Sequence, residues 1–135
     1  QAYALGIDPM LDGAIEAPAA LAQAYGPFRE FMLARVDPDT LAAMLELRGQ
    51  APASIPDPSV LIPSFMLSEI ERAFQIGFLI FLPFLIIDLV VAAILMSMGM
   101  MMVPPAIVSL PFKLAFFVVA DGWSLISGAL VRSYF

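Results

Sequence analysis

The stretch FQIGFLIFLPFLIIDLVVAAILMS, Phe74 to Ser97, carries one charged side chain, Asp88, among residues that are otherwise almost all apolar. At roughly 1.5 Å of rise per residue, a helix of this length crosses a hydrocarbon layer of about 30 Å. A second apolar run, Leu110 to Leu130, is long enough to do the same. Between the two, Gly99 and the Pro104-Pro105 pair break helical geometry, because glycine accepts left-handed backbone and proline removes an amide donor. The pattern predicts an antiparallel hairpin, so the chain reads as all-α: a membrane-associated helical hairpin preceded by short helices. Its turn holds no Lys or Arg, and the flanks offer only Arg72 and Arg132, so charge bias does not orient it.

The whole composition agrees with burial in a membrane or a large assembly. Of 135 residues, 61% are hydrophobic and 13% charged, against roughly 45 to 50% apolar in an average soluble domain. The six Lys and Arg residues and the net charge of -6 exclude nucleic acid as a partner, because phosphate backbones are held by clustered cations. Absence of Cys and His removes thiolate nucleophiles, disulfides, Cys and His metal sites and every His-based triad. Glu69 and Glu71 stand two apart, on different sides of a helix, and make a poor acid and base couple. No enzyme chemistry and no cofactor are expected.

The first half is more polar and explicitly punctuated. Asp8-Pro9 and Asp12-Gly13 are turn signals, and Pro18 suits the first turn of a helix through Leu21 and Tyr25 that Gly26-Pro27 should stop. Phe28, Phe31, Met32 and Arg35 then have helical spacing. Asp37 is the expected N-cap and Pro38 the first residue of a further helix through Leu41, Met44, Leu45 and Arg48, ended by Gly49. Ala51 to Pro58, with three prolines, reads as an extended linker, followed by a moderately polar helix from Val60 to Arg72. The expected division is residues 1-58, an acidic short-helix region with its linker, and 59-135, the hydrophobic hairpin. The start at Gln1, with no basic segment ahead of an apolar run, reads as a truncation or a signal peptide already removed.

From Ala73 to Val131 the charged residues are Asp88, Lys113 and Asp121. An Asp or Lys in hydrocarbon costs about 2.5 to 3.5 kcal/mol on insertion scales, so such groups face a partner, a bundle interior or water. A hairpin folded about Met102 sets Lys113 opposite Val91, one turn from Asp88, and sets Asp121 near Pro83, whose missing N-H frees a carbonyl. Pairing that fixes hairpin geometry or subunit register is the structural reading; a proton relay is the functional alternative.

Met96, Met98, Met100, Met101 and Met102 crowd five thioethers into the turn region. Flexible, polarizable side chains of this kind could form a deformable apolar gasket around variable partners. For an arbitrary sequence the better reading is that they fill gaps in a lipid-facing or core-packed turn, and a thioether-only Cu(I) site is the remote third reading. Small residues at Ala92, Ala93, Gly122, Ser127, Gly128 and Ala129 permit close helix approach, with low specificity.

Several segments carry a resemblance: Ser68-Glu69-Ile70, Ala73 to Phe78, Phe84-Leu85-Ile86-Ile87-Asp88-Leu89-Val90, Met98 to Pro105, Ser109-Leu110-Pro111-Phe112-Lys113-Leu114, Asp121-Gly122-Trp123, and upstream Pro27 to Met32. Their order and length resemble the FliP family, with SctR as its virulence-secretion counterpart. The resemblance implies a subunit of the flagellar type III protein-export gate, a homo-oligomeric ring completed by FliQ and FliR type subunits, in the bacterial inner membrane at the flagellar basal body. It implies that unfolded flagellar proteins are the cargo, that Met100, Met101 and Met102 are the gasket, and that Gly99, Pro104 and Pro105 shape its loop. The finished gate would lift these apolar helices partly out of the bilayer plane. Family members carry a cleavable signal and further hydrophobic helices ahead of this region. Pro104-Pro105 and the upstream helices favour the flagellar branch over the virulence branch. An ion-coupled transporter using Asp88, Lys113 and Asp121 is the rival from another class.

Overall fold

The computed structural model describes residues 1-51 and 55-135. Among the described residues there is no strand, and the protein is all-α. Compact packing divides it into Gln1–Gln75 and Ile76–Phe135.

The first unit begins with a π-helical turn, Tyr3–Ile7, that runs into α1, Asp8–Leu11. Asp8-Pro9 therefore starts a helix instead of making the expected turn. Proline in a first turn sacrifices an amide that has no intrahelical partner anyway. Asp12-Gly13 does turn, with Gly13 at φ 71°. Gly6 is buried against α2, Ala17–Arg35, where a Cβ at this position would stand 2.5 Å from the Ala20 carbonyl oxygen and 2.7 Å from the Ala24 Cβ.

Gly26-Pro27 does not stop α2, which runs on to Arg35 with Pro27 in its interior. The usual obstacle before a proline is the clash of its ring with the preceding residue's Cβ, and Gly26 has none. The continued turns also bury Met32, which joins Val36 and Leu61 in the core, with Tyr25, Leu41 and Phe65 packed around them. That burial offsets the one amide bond Pro27 cannot make.

Asp37 caps α3, Pro38–Leu47, as its sequence predicts: its carboxylate accepts from the Thr40 amide and hydroxyl, both at 2.9 Å. At the other end Gly49, φ 65°, lets the Gln50 amide reach the Leu45 carbonyl and its own amide reach Glu46. The cap makes a pH prediction. The Thr40 amide, and after it the Thr40 hydroxyl, hold the Asp37 carboxyl below its ordinary value of 3.8. A depressed carboxylate stabilises the fold above its unfolded pKa, and that contribution disappears as pH falls through the folded value. Asp37→Ala should thus lower the thermal midpoint at neutral pH, and the gap to the native protein should close in acid. A gap that stays constant with pH would contradict the cap.

The linker ends one residue earlier than expected. Ala51 and residues 55-57 have no regular structure, residues 52-54 of the expected linker lie outside the described residues, and Pro58 opens a helix. That helix, α4, Pro58–Ser97, is continuous where the sequence suggested two segments. The change from polar to apolar near Ala73 is a change of side chains, and backbone hydrogen bonding continues through it without a break.

Within the first unit, α4 presents Val60, Leu61 and Ser64, all fully buried. Ser64 and Ser68 donate to the carbonyls of Val60 and Ser64, and Ser68 also accepts from the Asp37 amide at 2.9 Å. Arg35 Nε lies 3.3 Å from Glu69 Oε1, which also pairs with Arg72, while Arg72 donates to the Arg35 carbonyl at 3.1 Å. Phe31 meets Phe65 edge to face at 5.9 Å.

In the second unit, α4 turns into α5, Pro105–Val119. The second arm is not the single helix that its hydropathy suggested. It breaks after α5, and α6, Gly122–Arg132, leaves at 58°. Asp121 adopts the left-handed conformation at the break, φ 50° and ψ 52°. Gly122 is buried under the Phe117 ring, where a side chain has no room, and Trp123 stacks edge-on against Phe117 at 5.3 Å. Asp-Gly is a turn signal that the uninterrupted apolar run around it masks. By length and composition α4 can cross a membrane, and α5 with α6 can form a second span if the bent pair counts as one.

Candidate functional site

Two features of the second unit bear on function: the methionine turn between α4 and α5, and the polar cluster between the two helices.

The turn is built from backbone rules. Gly99 takes φ 77°, so its amide donates to the Met96 carbonyl and the Met100 amide to that of Leu95, the same closure that ends α3. Pro104 is extended, φ -65° and ψ 120°, and Pro105 supplies the first turn of α5. Residues 100-104 are thereby held between two helix ends. Met100 is 43% exposed, Met101 81% and Met102 96%. Gap-filling within this chain is excluded by those exposures, since side chains that fill a core lose their solvent contact. Met96 and Met98 are exposed as well, and Met98 borders an apolar groove of about 500 Å³ with Ile94, Leu95, Val108 and Phe112.

The charges of α4 and α5 do meet. Lys113 Nζ lies 2.7 Å from Asp88 Oδ2. Phe84 meets Phe116 at 5.9 Å in the same register. These contacts centre the hairpin near Met100, not Met102, so Lys113 faces Asp88 itself where the sequence set it opposite Val91. The difference is one helical turn, and its cause is Gly99, which ends α4 sooner than a turn centred on Met102 assumes. Ser109, fully buried, donates to Asp88 Oδ1 at 2.6 Å. Sequence reasoning missed Ser109; its signal was a hydroxyl four residues before Lys113, on the same helix face.

Asp121 does not join this cluster. It is exposed at the α5–α6 break, and the groove beside Pro83 is lined by Ile80, Phe84, Phe116, Phe117, Ala120 and other apolar residues. The expected polar contact between Asp121 and Pro83 is replaced by aromatic packing. Among the described residues no three carboxylates cluster in a way that could hold a metal ion.

Comparison with known proteins gives a consistent result. The FliP family model matches residues 1–130. The flagellar biosynthetic protein FliP of Caulobacter vibrioides is 53% identical over 99% of this chain and 52% of its own length. The proteins of that name from Rhizobium meliloti and Bacillus subtilis are 48% and 45% identical, over 99% and 95% of this chain and 57% and 59% of their own lengths. The chain spans about half the length of the curated relatives it matches.

Proposed function

The chain belongs to the FliP family, and on that premise we propose that it works as a membrane subunit of the flagellar type III protein-export gate. Copies of it form a ring with FliQ and FliR type subunits in the bacterial inner membrane, at the flagellar basal body, and unfolded flagellar proteins pass through the opening. Met100, Met101 and Met102 close that opening. The observation that carries this reading is the exposure of these three side chains on a turn pinned at both ends by Gly99 and Pro104-Pro105.

The mechanism is passive on the part of this chain. Thioether arms are unbranched and soft, so a ring of them meets at low cost when the passage is empty and deforms around side chains of any shape. An apolar constriction also excludes ions, because a narrow greasy passage dewets. Asp88 and Lys113, one on each helix, hold the hairpin in register so that the turn is presented at a fixed height.

A photo-cross-linking residue at position 101 of the full-length protein, in cells holding a stalled export substrate, tests the reading. The expected product is a covalent adduct with the substrate. Adducts with lipid alone would overturn it.

A further inference from the structure

Ser109 lies on α5 one turn before Lys113, and its hydroxyl oxygen has two acceptors: Asp88 Oδ1 at 2.6 Å and the Ala106 carbonyl oxygen at 3.1 Å. A hydroxyl carries one proton, so the acceptors compete, and the nearer, charged carboxylate takes it. We propose that Ser109 is the positioning residue of the Asp88–Lys113 pair and makes that pair a releasable latch. In the closed arrangement its proton fixes one carboxylate oxygen, which leaves Oδ2 turned toward Lys113 Nζ, 2.7 Å away. When α4 and α5 part, the same proton falls back on the Ala106 carbonyl, three residues earlier on its own helix.

The second acceptor changes the cost of opening. A buried donor left without a partner carries its full desolvation penalty. Among the described residues, the side chain that Ser109 bonds is that of Asp88, and its fallback is local to α5, so opening strands no hydroxyl. An alanine would neither aim the carboxylate nor need the fallback. This inference rests on the role proposed above for Asp88 and Lys113, and is independent of what the methionines do.

The chain has no cysteine, so cysteines placed at Phe84 and Phe116, whose rings meet at 5.9 Å, report the closed register through a flexible thiol cross-linker in the full-length protein. Ser109→Ala should lower the closed-to-open ratio read from the cross-linking rate roughly tenfold, the difference between a hydrogen bond to a charged group and the local one that replaces it on opening. In an Asp88→Leu/Lys113→Leu background the same substitution should change the ratio by less than about twofold, because the coupling partner is gone. A purely packing role for Ser109 would persist in that background. Equal losses in both backgrounds, or none in the native one, overturn the proposal. If Asp88→Leu alone leaves the rate untouched, the latch reading beneath it fails, and this proposal with it.

Discussion

Asp88→Leu or Lys113→Leu alone is expected to cut the amount of assembled protein recovered from membranes by roughly a hundredfold, the cost of one stranded charge in hydrocarbon, while the double substitution recovers most of it. The two groups lie 2.7 Å apart on facing helices of an otherwise apolar hairpin. Removing one partner leaves an uncompensated charge, whereas replacing both by apolar residues of similar size is often neutral or stabilising. Native gel electrophoresis of extracted membranes reads the assembled fraction directly. Single substitutions that assemble like the native protein would show that water or a neighbouring subunit, and not this pair, satisfies each charge. A double variant as damaged as the singles would show that the pair has a role beyond neutralising itself, such as a contact across subunits.

Features that depend on a few adjacent residues are legible in the sequence. Asp37-Pro38 reads as an N-cap followed by the first helical residue, and the cap forms, its carboxylate accepting from the Thr40 amide and hydroxyl. Gly49 and Gly99 sit where a left-handed residue must end a helix, and both take positive φ. The Asp88–Lys113 meeting follows from the hairpin and the scarcity of charge, although its register differs by a turn because the residue that ends α4 is set by Gly99 and not by the middle of the turn.

What stays hidden depends on residues distant in the chain or on the absence of an atom. Pro27 looks like a stop until Gly26 removes the clash and Met32 finds Val36 and Leu61. The unbroken α4 is obscured by a compositional change that has no effect on backbone bonding. The break at Asp121 becomes readable only once Phe117 is seen to lie over Gly122. Ser109 is an ordinary helix residue in the sequence, and only the fold shows that its neighbour is a carboxylate.

The second large effect concerns the turn itself. Replacing Met100, Met101 and Met102 together by Ala removes the thioether arm from each copy while leaving Gly99, Pro104 and Pro105 to hold the backbone. Since the three side chains are 43%, 81% and 96% exposed, they have little intrachain packing to lose, so the substitution should leave the fold and the Asp88–Lys113 contact intact. In a ring, every copy would lose material at the same height, and a constriction that dewets when narrow conducts once widened. The ion permeability of cells carrying the full-length triple variant should rise roughly tenfold or more without regard to ion type. A proton relay through the charged residues behaves differently: it would respond to Asp88→Asn alone and pass protons selectively.

The most direct measurement is therefore the ion leak of inner membranes bearing the assembled full-length protein, compared between the native form, the Met100/Met101/Met102→Ala variant and the Asp88→Leu/Lys113→Leu variant, which removes the titratable pair without stranding a charge. A thioether seal predicts an unselective leak in the alanine variant and a tight membrane in the other two. A tight alanine variant, or a leak confined to protons and governed by that pair, would contradict it.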